Sequence, residues 1–131
     1  MMKPEHTKKS GPGSKKAPLG LIPLGPLYEV AEVFRLGAEK YGRFEYANSV
    51  APASMYTDAC RRHIYAWIGG EETDVESGRS HLAHAIADLL ILMVAERQGS
   101  LDDDRPPPST WWSTDAPVGT EDESQAARTN D

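Results

Sequence analysis

The chain has 131 residues, a net charge of −6 at neutral pH and a single cysteine, Cys60. This length leaves room for one domain, and the acidic balance argues against a protein that binds nucleic acid stably, because phosphate contacts need a clustered basic surface. One cysteine excludes an internal disulfide and a cysteine-rich zinc site. The apolar run at 89–94 is too short to span a bilayer, and lysine and proline interrupt any secretory signal. We therefore expect a cytoplasmic protein that does not enter a membrane.

Composition divides the chain into three regions. Residues 1–19 hold five lysines and one glutamate and are rich in glycine and proline, which predicts a flexible basic arm. From residue 100 onward, eight acidic residues stand against two arginines, with a triple proline and no helical period. This composition predicts an acidic, disordered tail over 100–131. Residues 20–99 are expected to form the folded domain.

The first predicted helix covers residues 27–41. Pro26 is a favoured start and Gly42 a favoured stop. One face of the helix carries Val30, Phe34, Ala38 and Tyr41 at a helical period. Roughly the opposite side carries Glu29, Glu32, Leu36 and Lys40. Residues 43–53 lack a helical period and are expected to be a loop.

A second predicted helix runs from about 55 to 68, with Ser54 as its cap and Gly69-Gly70 at its end. Its main stripe holds Tyr56, Cys60, His63 and Trp67. Cys60 precedes His63 by three positions, which could form a thiolate pair. A small residue that faces a partner helix is the favoured interpretation.

The third predicted helix covers 81–98, with Ser77 or Ser80 as its cap, and it stops at Gly99. Its apolar stripe consists of Leu82, Ile86, Leu89, Leu90 and Met93, and a second stripe carries His81, His84 and Asp88. No strand alternation of useful length occurs in 20–99, so an all-α fold is expected. Three helices bury little surface, since small domains bury only about 60% of their unfolded-chain surface. A homodimer or homotetramer that completes the bundle is therefore predicted.

Titratable side chains are concentrated in residues 70–84, GEETDVESGRSHLAH. If the second helix continued through its glycines, His63, Trp67, Glu71 and Asp74 would share one side. Glu29 and Glu32 could reach the same place from the first helix. Carboxylates that meet in a partly dry space repel unless a cation neutralises them, and carboxylate oxygens suit Mg²⁺ or Mn²⁺. A solvated turn and an exposed acidic face are the alternative explanations.

The two histidines of the third helix also suggest a site, because each ring N–H on an apolar helix needs a partner. A core histidine with a satisfied hydrogen bond remains the alternative for either one. Several hydrolase classes are excluded, since the sequence has no HExxH motif, no adjacent His-Asp pair, no Walker-type loop and no GxSxG elbow.

Several motifs together resemble a known family. They are Gly37-Ala38-Glu39-Lys40-Tyr41-Gly42, Arg62-His63, Trp67, Gly70-Glu71 and the segment from Asp74 to His84, DVESGRSHLAH. Across about residues 21–95 the chain is similar to the amino-terminal domain of phage dATP/dGTP diphosphohydrolases, a MazG-like branch of the all-α nucleoside triphosphate pyrophosphatases whose dGTP-acting members are called MazZ. Where the family often has Asn-Trp after its KYG, this chain has Arg43-Phe44.

The resemblance implies a MazG-like helical bundle that cleaves a deoxypurine triphosphate, dGTP with dATP or GTP as further substrates, between the α- and β-phosphates. The products would be the monophosphate and pyrophosphate. It also implies on the order of two or three Mg²⁺ or Mn²⁺ ions per site, held by an ExxE and an ExxD motif. The matching pairs are Glu29 with Glu32 and Glu71 with Asp74. Asp88 or Glu76 could replace one of these ligands.

Further roles follow from the same resemblance. Glu32 or Glu71 would orient the attacking water, and Lys40 and Arg62 would hold phosphate oxygens. His81 or His84 would hold phosphate or a ligand carboxylate. The side chains of His63, Tyr41, Trp67 and Tyr46 are available for the nucleotide, although the aromatic ones could equally be dimer core. The competing hypothesis is a non-catalytic helical dimer that binds a nucleotide or a protein.

Overall fold

The computed structural model describes residues 15–108. A 3₁₀ turn at Leu19–Leu21 precedes four helices and two very short strands: α1 (Leu24–Tyr41), α2 (Glu45–Asn48), β1 (Ala51–Pro52), α3 (Ala53–Ile68), α4 (His81–Gln98) and β2 (Leu101–Asp102). The all-α prediction is confirmed. Within the described range, no helix combines the length and the apolar character needed to cross a membrane.

The ends of α1 and α4 follow the sequence signals closely. α1 begins at Leu24, three residues before the predicted start, and places Pro26 in its first turn, where a proline costs no hydrogen bond. It stops at Gly42, whose φ of 102° favours glycine. Ser80 caps α4 as expected, because its Oγ accepts a hydrogen bond from the Ala83 N–H at 3.3 Å.

The start of α3 differs from the prediction. The helix begins at Ala53 after Pro52, so Ser54 is not its cap. Instead the Ser54 N–H donates to Oδ1 of Asp104 at 2.8 Å, and the Ser54 hydroxyl donates to Oδ2 of the same carboxylate. The carboxylate of Asp104, distant in sequence, therefore accepts a hydrogen bond from a backbone N–H in the first turn of α3.

The segment expected to be a loop, 43–53, contains α2 and the strand β1. β1 pairs in parallel with β2, and Ala51 lies opposite Leu101. Residues 101–104 therefore contact the helical domain beyond the predicted boundary at 99. The rest of the predicted tail, 109–131, and residues 1–14 of the predicted arm lie outside the described residues.

Helix α4 lies between α1 and α3 and contacts both through small side chains. Ala83 and Ala87 are buried with Val30 of α1, and Val33 and Phe34 pack against them. Alanines let the helix axes approach closely, because little side-chain volume separates the backbones.

On the α3 side, buried Ala85 and Cys60 meet, with the Cys60 Sγ 3.7 Å from the Ala85 carbonyl oxygen. The expectation that Cys60 is a small residue facing a partner helix is confirmed. Burial also raises the pKa of its thiol, which disfavours a thiolate.

The predicted apolar stripe of α4 faces outward in the single chain. We call this surface the outer face of α4; its members are 39% to 52% exposed and are Leu82, Ile86, Leu89, Leu90 and Met93. The stripe has the predicted helical period, but the buried contacts of α4 with α1 and α3 are made by its alanines. Five large apolar side chains on one helix face therefore stay partly exposed.

Candidate functional site

A structured loop, residues 69–80, connects α3 to α4. Helix α3 ends at Ile68, as predicted from Gly69-Gly70, and Gly70 takes a φ of 99°, so the alternative of a helix that continues through its glycines does not occur. The Asp74 N–H then donates to the Arg79 carbonyl at 2.8 Å and the His81 N–H to the Glu72 carbonyl at 3.0 Å. These bonds fold the loop back onto the start of α4.

The loop brings two predicted carboxylates to two histidines. Nδ1 of His63, on α3, lies 2.9 Å from Nδ1 of His81, on α4, and 3.8 Å from Oδ2 of Asp74. Nε2 of His81 lies 2.8 Å from Oε1 of Glu71. We call His63, Glu71, Asp74, His81 and His84 the histidine cluster; its members come from two helices and the intervening loop.

His84 completes the cluster by stacking on His63. The two rings lie 4.5 Å apart and are parallel to within 7°. Nε2 of His84 is 2.7 Å from the Ser77 hydroxyl, so Ser77, considered as a helix cap in the sequence, holds a histidine instead. The cluster thus has a fixed geometry on both sides of His63.

Burial and hydrogen bonding set the charges of the cluster. Burial lowers the pKa of His63, and the neighbouring His84 lowers it further. The pKa of His84 is also lowered, mainly by burial. For Asp74, burial acts to raise the pKa but is outweighed by the N–H groups of Ser77 and Glu76, which lower it. At neutral pH the rings of His63 and His84 are therefore uncharged beside an ionised carboxylate.

The carboxylates of α1 line a separate pocket of about 220 Å³, whose walls are Tyr28, Glu29, Glu32, Thr73, Gly78, Arg79 and Ser80. Arg79 places Nη2 3.4 Å from Oε2 of Glu32, and Arg35 places Nη2 3.1 Å from Oε1 of the same residue. Glu71 and Asp74 are not among the lining residues. The predicted ligands thus form two groups, and Thr73 of the 69–80 loop lies between Glu71 and Asp74 in the chain.

The other predicted site residues lie outside these two groups. Lys40 has Nζ 5.2 Å from the centre of the Tyr41 ring, and Tyr41 is 65% exposed. Trp67 is 46% exposed, and Arg62 is exposed on α3. Tyr46 packs edge-on against Phe34, with ring centres 5.3 Å apart. Tyr46 thus belongs to the packing around α1, whereas Tyr41 and Trp67 remain available.

Two residues of the site were missed by the sequence reasoning. Arg79 contacts Glu32 and lines the acidic pocket, and Thr73 lies in the pocket wall and pairs with Ser80. Both belong to the charged segment 70–84, yet neither is a metal ligand type. Arg79 is the basic residue within the acidic segment 70–84, and this position was the sequence signal for a side chain that binds a phosphate or a carboxylate.

The two pairs of carboxylates, Glu29 with Glu32 and Glu71 with Asp74, fit different cations. Glu29 and Glu32 offer oxygens to an open pocket, which suits Mg²⁺ or Mn²⁺. Asp74 faces imidazole nitrogens, and Glu71 is hydrogen-bonded to one. A mixed nitrogen and oxygen environment suits a transition metal better than Mg²⁺. A single carboxylate site for Mg²⁺ therefore fits Glu29 and Glu32 better than it fits Glu71 and Asp74.

An all-α domain with a histidine cluster beside an acidic pocket has the groups needed to bind cations and phosphates. The sequence profile of the family described as "dATP/dGTP diphosphohydrolase, N-terminal" matches residues 6–105. The chain belongs to this family.

A relative from Salmonella phage PMBT28, called a dATP/dGTP diphosphohydrolase, is 33% identical over 90 residues, which are 69% of this chain and 30% of the relative. The chain thus spans about a third of that relative's length. No solved structure matches the chain.

Proposed function

We propose that the chain hydrolyses a purine nucleoside triphosphate, dGTP before dATP or GTP, to the monophosphate and pyrophosphate. The observation that carries this proposal is the convergence of the family motif on one place. His63, Glu71, Asp74 and His81 come from separate segments of that motif and contact one another. The name of the phage relative supports a diphosphohydrolase.

Metal dependence is part of the proposal. Glu29 and Glu32 would hold Mg²⁺ or Mn²⁺ at the acidic pocket, with Glu71 and Asp74 as the second carboxylate pair after a rearrangement of their contacts. Such ions, when bound, neutralise phosphate charge and acidify a bound water. Arg79 already contacts Glu32, so it is placed to hold a phosphate oxygen when a cation takes over that carboxylate.

The remaining roles belong to individual side chains of the chain. Glu32 or Glu71 would orient the attacking water once its present contacts, with Arg35 and Arg79 or with His81, are released. Lys40 and Arg62, both exposed, would bind phosphates, and His81 and His84 would position carboxylate or phosphate groups. Tyr41 and Trp67 offer exposed rings on which a purine could stack.

A second copy of the chain would complete the bundle. The outer face of α4 presents five large apolar side chains to solvent in the single chain, and burying them between two copies would stabilise a homodimer, which could pair again into a tetramer. In a phage-infected cell, the enzyme would act in the host cytoplasm. Its dGMP could supply synthesis of a modified purine, as implied by the likeness to MazZ.

The activity is tested by incubating the purified chain with each nucleoside triphosphate and Mn²⁺ and resolving the products. Pyrophosphate and dGMP from dGTP are expected. Release of single phosphates would place the cut elsewhere. Inert nucleotides that nevertheless bind would favour the alternative of a non-catalytic helical dimer.

Glu71→Gln sharpens this test. The change keeps the size of the side chain but removes its charge, so turnover is expected to be lost while helix content and oligomeric state are preserved. Product formation and circular dichroism are measured on the same preparation. Glu72→Gln, at the exposed neighbouring position, is the matched control and should retain turnover. Full activity of Glu71→Gln would remove Glu71 from the catalytic residues.

A further inference from the structure

We propose that His63, Asp74 and His81, in the arrangement that they have here, form a binding site for one transition-metal ion, such as Zn²⁺ or Co²⁺, separate from the pocket of Glu29 and Glu32. The inference goes beyond the proposed hydrolysis and does not depend on it. It rests on contacts between side chains of α3, the 69–80 loop and α4.

The three side chains already hold their donor atoms around one point. One ligand atom from each lies within 4.8 Å of the other two. Two imidazole nitrogens on one tetrahedral Zn²⁺ would be about 3.3 Å apart, given Zn–N distances of about 2.0–2.1 Å. The two Nδ1 atoms are 2.9 Å apart, and Oδ2 of Asp74 is 3.8 Å from Nδ1 of His63. Each of these two distances would change by about half an ångström to seat an ion.

Glu71 prepares His81 for this role. Its Oε1 lies 2.8 Å from Nε2 of His81, so the carboxylate accepts a hydrogen bond from Nε2–H, and the Nδ1 lone pair of His81 lies on the side of His63. A carboxylate on the far nitrogen of a ligating histidine is the usual outer partner of a protein metal site. His81 is also only 4% exposed, so its ring cannot turn freely away.

Asp74 is held in place independently of the histidines. Its Oδ1 accepts the N–H groups of Glu76 at 2.7 Å and Ser77 at 3.0 Å, which leaves Oδ2 for a cation. Two imidazoles and one carboxylate form a ligand set that favours Zn²⁺, Co²⁺ or Ni²⁺ over Mg²⁺, because nitrogen ligands bind these later metals more strongly. Three protein ligands leave a coordination position open for water.

The test is a titration of the untagged full chain with Co²⁺, followed by absorption in the visible range and by competition with Zn²⁺. About one Co²⁺ per chain with tetrahedral absorption is expected, displaced by Zn²⁺ and not by excess Mg²⁺. No nucleotide is present, so the outcome is separate from the outcome of the hydrolysis assay. Displacement of the Co²⁺ by Mg²⁺ would overturn the proposal.

Variants assign the ligands. His63→Gln and Asp74→Asn should each weaken Co²⁺ binding by on the order of 100-fold or more, and Glu71→Gln by about 10- to 100-fold, since loss of an outer partner costs that much. His6→Gln is the histidine control, because His6 is not a member of the histidine cluster. It should keep the affinity within a few-fold of the unchanged chain.

A thermal scan shows whether each variant in these comparisons is folded. A bound ion stabilises the folded chain according to its affinity, so Zn²⁺ should raise the unfolding temperature of the unchanged chain and of His6→Gln. It should have little effect on Asp74→Asn, whose own melting transition shows that it is folded. Equal stabilisation of all three would show that the cluster is a hydrogen-bonded structural element without a metal.

Discussion

At the scale of single residues, the side chains around His63 show why titratable groups concentrate in the segment 70–84. His81 is buried, and the residues that satisfy its ring come from that same segment and from α3. A buried imidazole without partners would cost free energy for each unpaired ring nitrogen. The charged residues of the loop are therefore partners of buried histidines in addition to candidate ligands.

Asp88 is the exception to this pairing. Its Oδ2 is buried and has no hydrogen-bond partner among the described residues. Burial raises the pKa of Asp88 to about 6, against a smaller lowering by Arg62. Tyr56 and Cys60 of α3 lie close enough for the Asp88 charge to raise the pKa of each. The ionised carboxylate is thus unfavourable in this place.

This environment predicts an unusual pH dependence for Asp88→Asn. The folded chain holds the proton up to about pH 6 and the unfolded chain only to about pH 4, so ionisation destabilises the folded state as pH rises through this window. This difference in pKa between the folded and unfolded chain corresponds to roughly 3 kcal/mol, which solvent around the half-buried group reduces to about 1 kcal/mol. Asp88→Asn should therefore gain about 1 kcal/mol at neutral pH.

Urea denaturation of both proteins from about pH 4 to pH 7.5 measures the difference. The gap in the free energy of unfolding should open as pH rises and close near pH 4. Asp58→Asn, which changes an exposed carboxylate of α3, is the control and should show no such gap. A gap that stays constant with pH would contradict the assignment to Asp88.

At the scale of elements, the start of α3 depends on a residue 50 positions away. Asp104 accepts the Ser54 N–H and hydroxyl, and β2 just before it pairs with β1 just before α3. A carboxylate near a helix N-terminus also interacts favourably with the helix dipole. The chain after α4 thus stabilises the beginning of α3.

Asp104→Ala should consequently lower the unfolding temperature, because a donor at the start of α3 loses its partner. The adjacent Asp103 provides a matched control, since its carboxylate pairs with exposed Arg105 at 2.7 Å, and a surface ion pair contributes little. Differential scanning fluorimetry of Asp103→Ala and Asp104→Ala makes the comparison. Equal effects would mean that the cap does not support α3.

At the scale of the whole molecule, the proposed assembly depends on the outer face of α4. Leu89 lies in the middle of this face and is 47% exposed. If two copies bury the face, Leu89→Glu places a charge in an apolar interface and should convert the dimer or tetramer to monomers. Sedimentation velocity measures the change.

Leu21→Glu serves as the control for Leu89→Glu, because Leu21 is 82% exposed and lies outside the outer face of α4. It should leave the assembly unchanged. A Leu89→Glu protein that sediments like the unchanged chain would show that this face does not mediate association.

Much of the fold could be predicted from local patterns. Pro26, Gly42, Ser80 and Gly99 act on the backbone of their own neighbourhood, and each lies where the corresponding helix begins or ends. Composition likewise indicated helices without long strands. Such signals are short-range, so they are readable without knowledge of the rest of the chain.

The tertiary structure decided which residues meet. The 3.6-residue period identified an apolar stripe and a polar stripe on α4. Only the packing shows that the alanines of α4 face α1 and α3 while its leucines face outward. The turn at Gly69-Gly70 separated Glu71 and Asp74 from the line of α3 and directed them to His81 and His63. The sequence determined the inventory of carboxylates and imidazoles, and the path of the loop determined their partners, because contacts between distant residues depend on the three-dimensional course of the backbone.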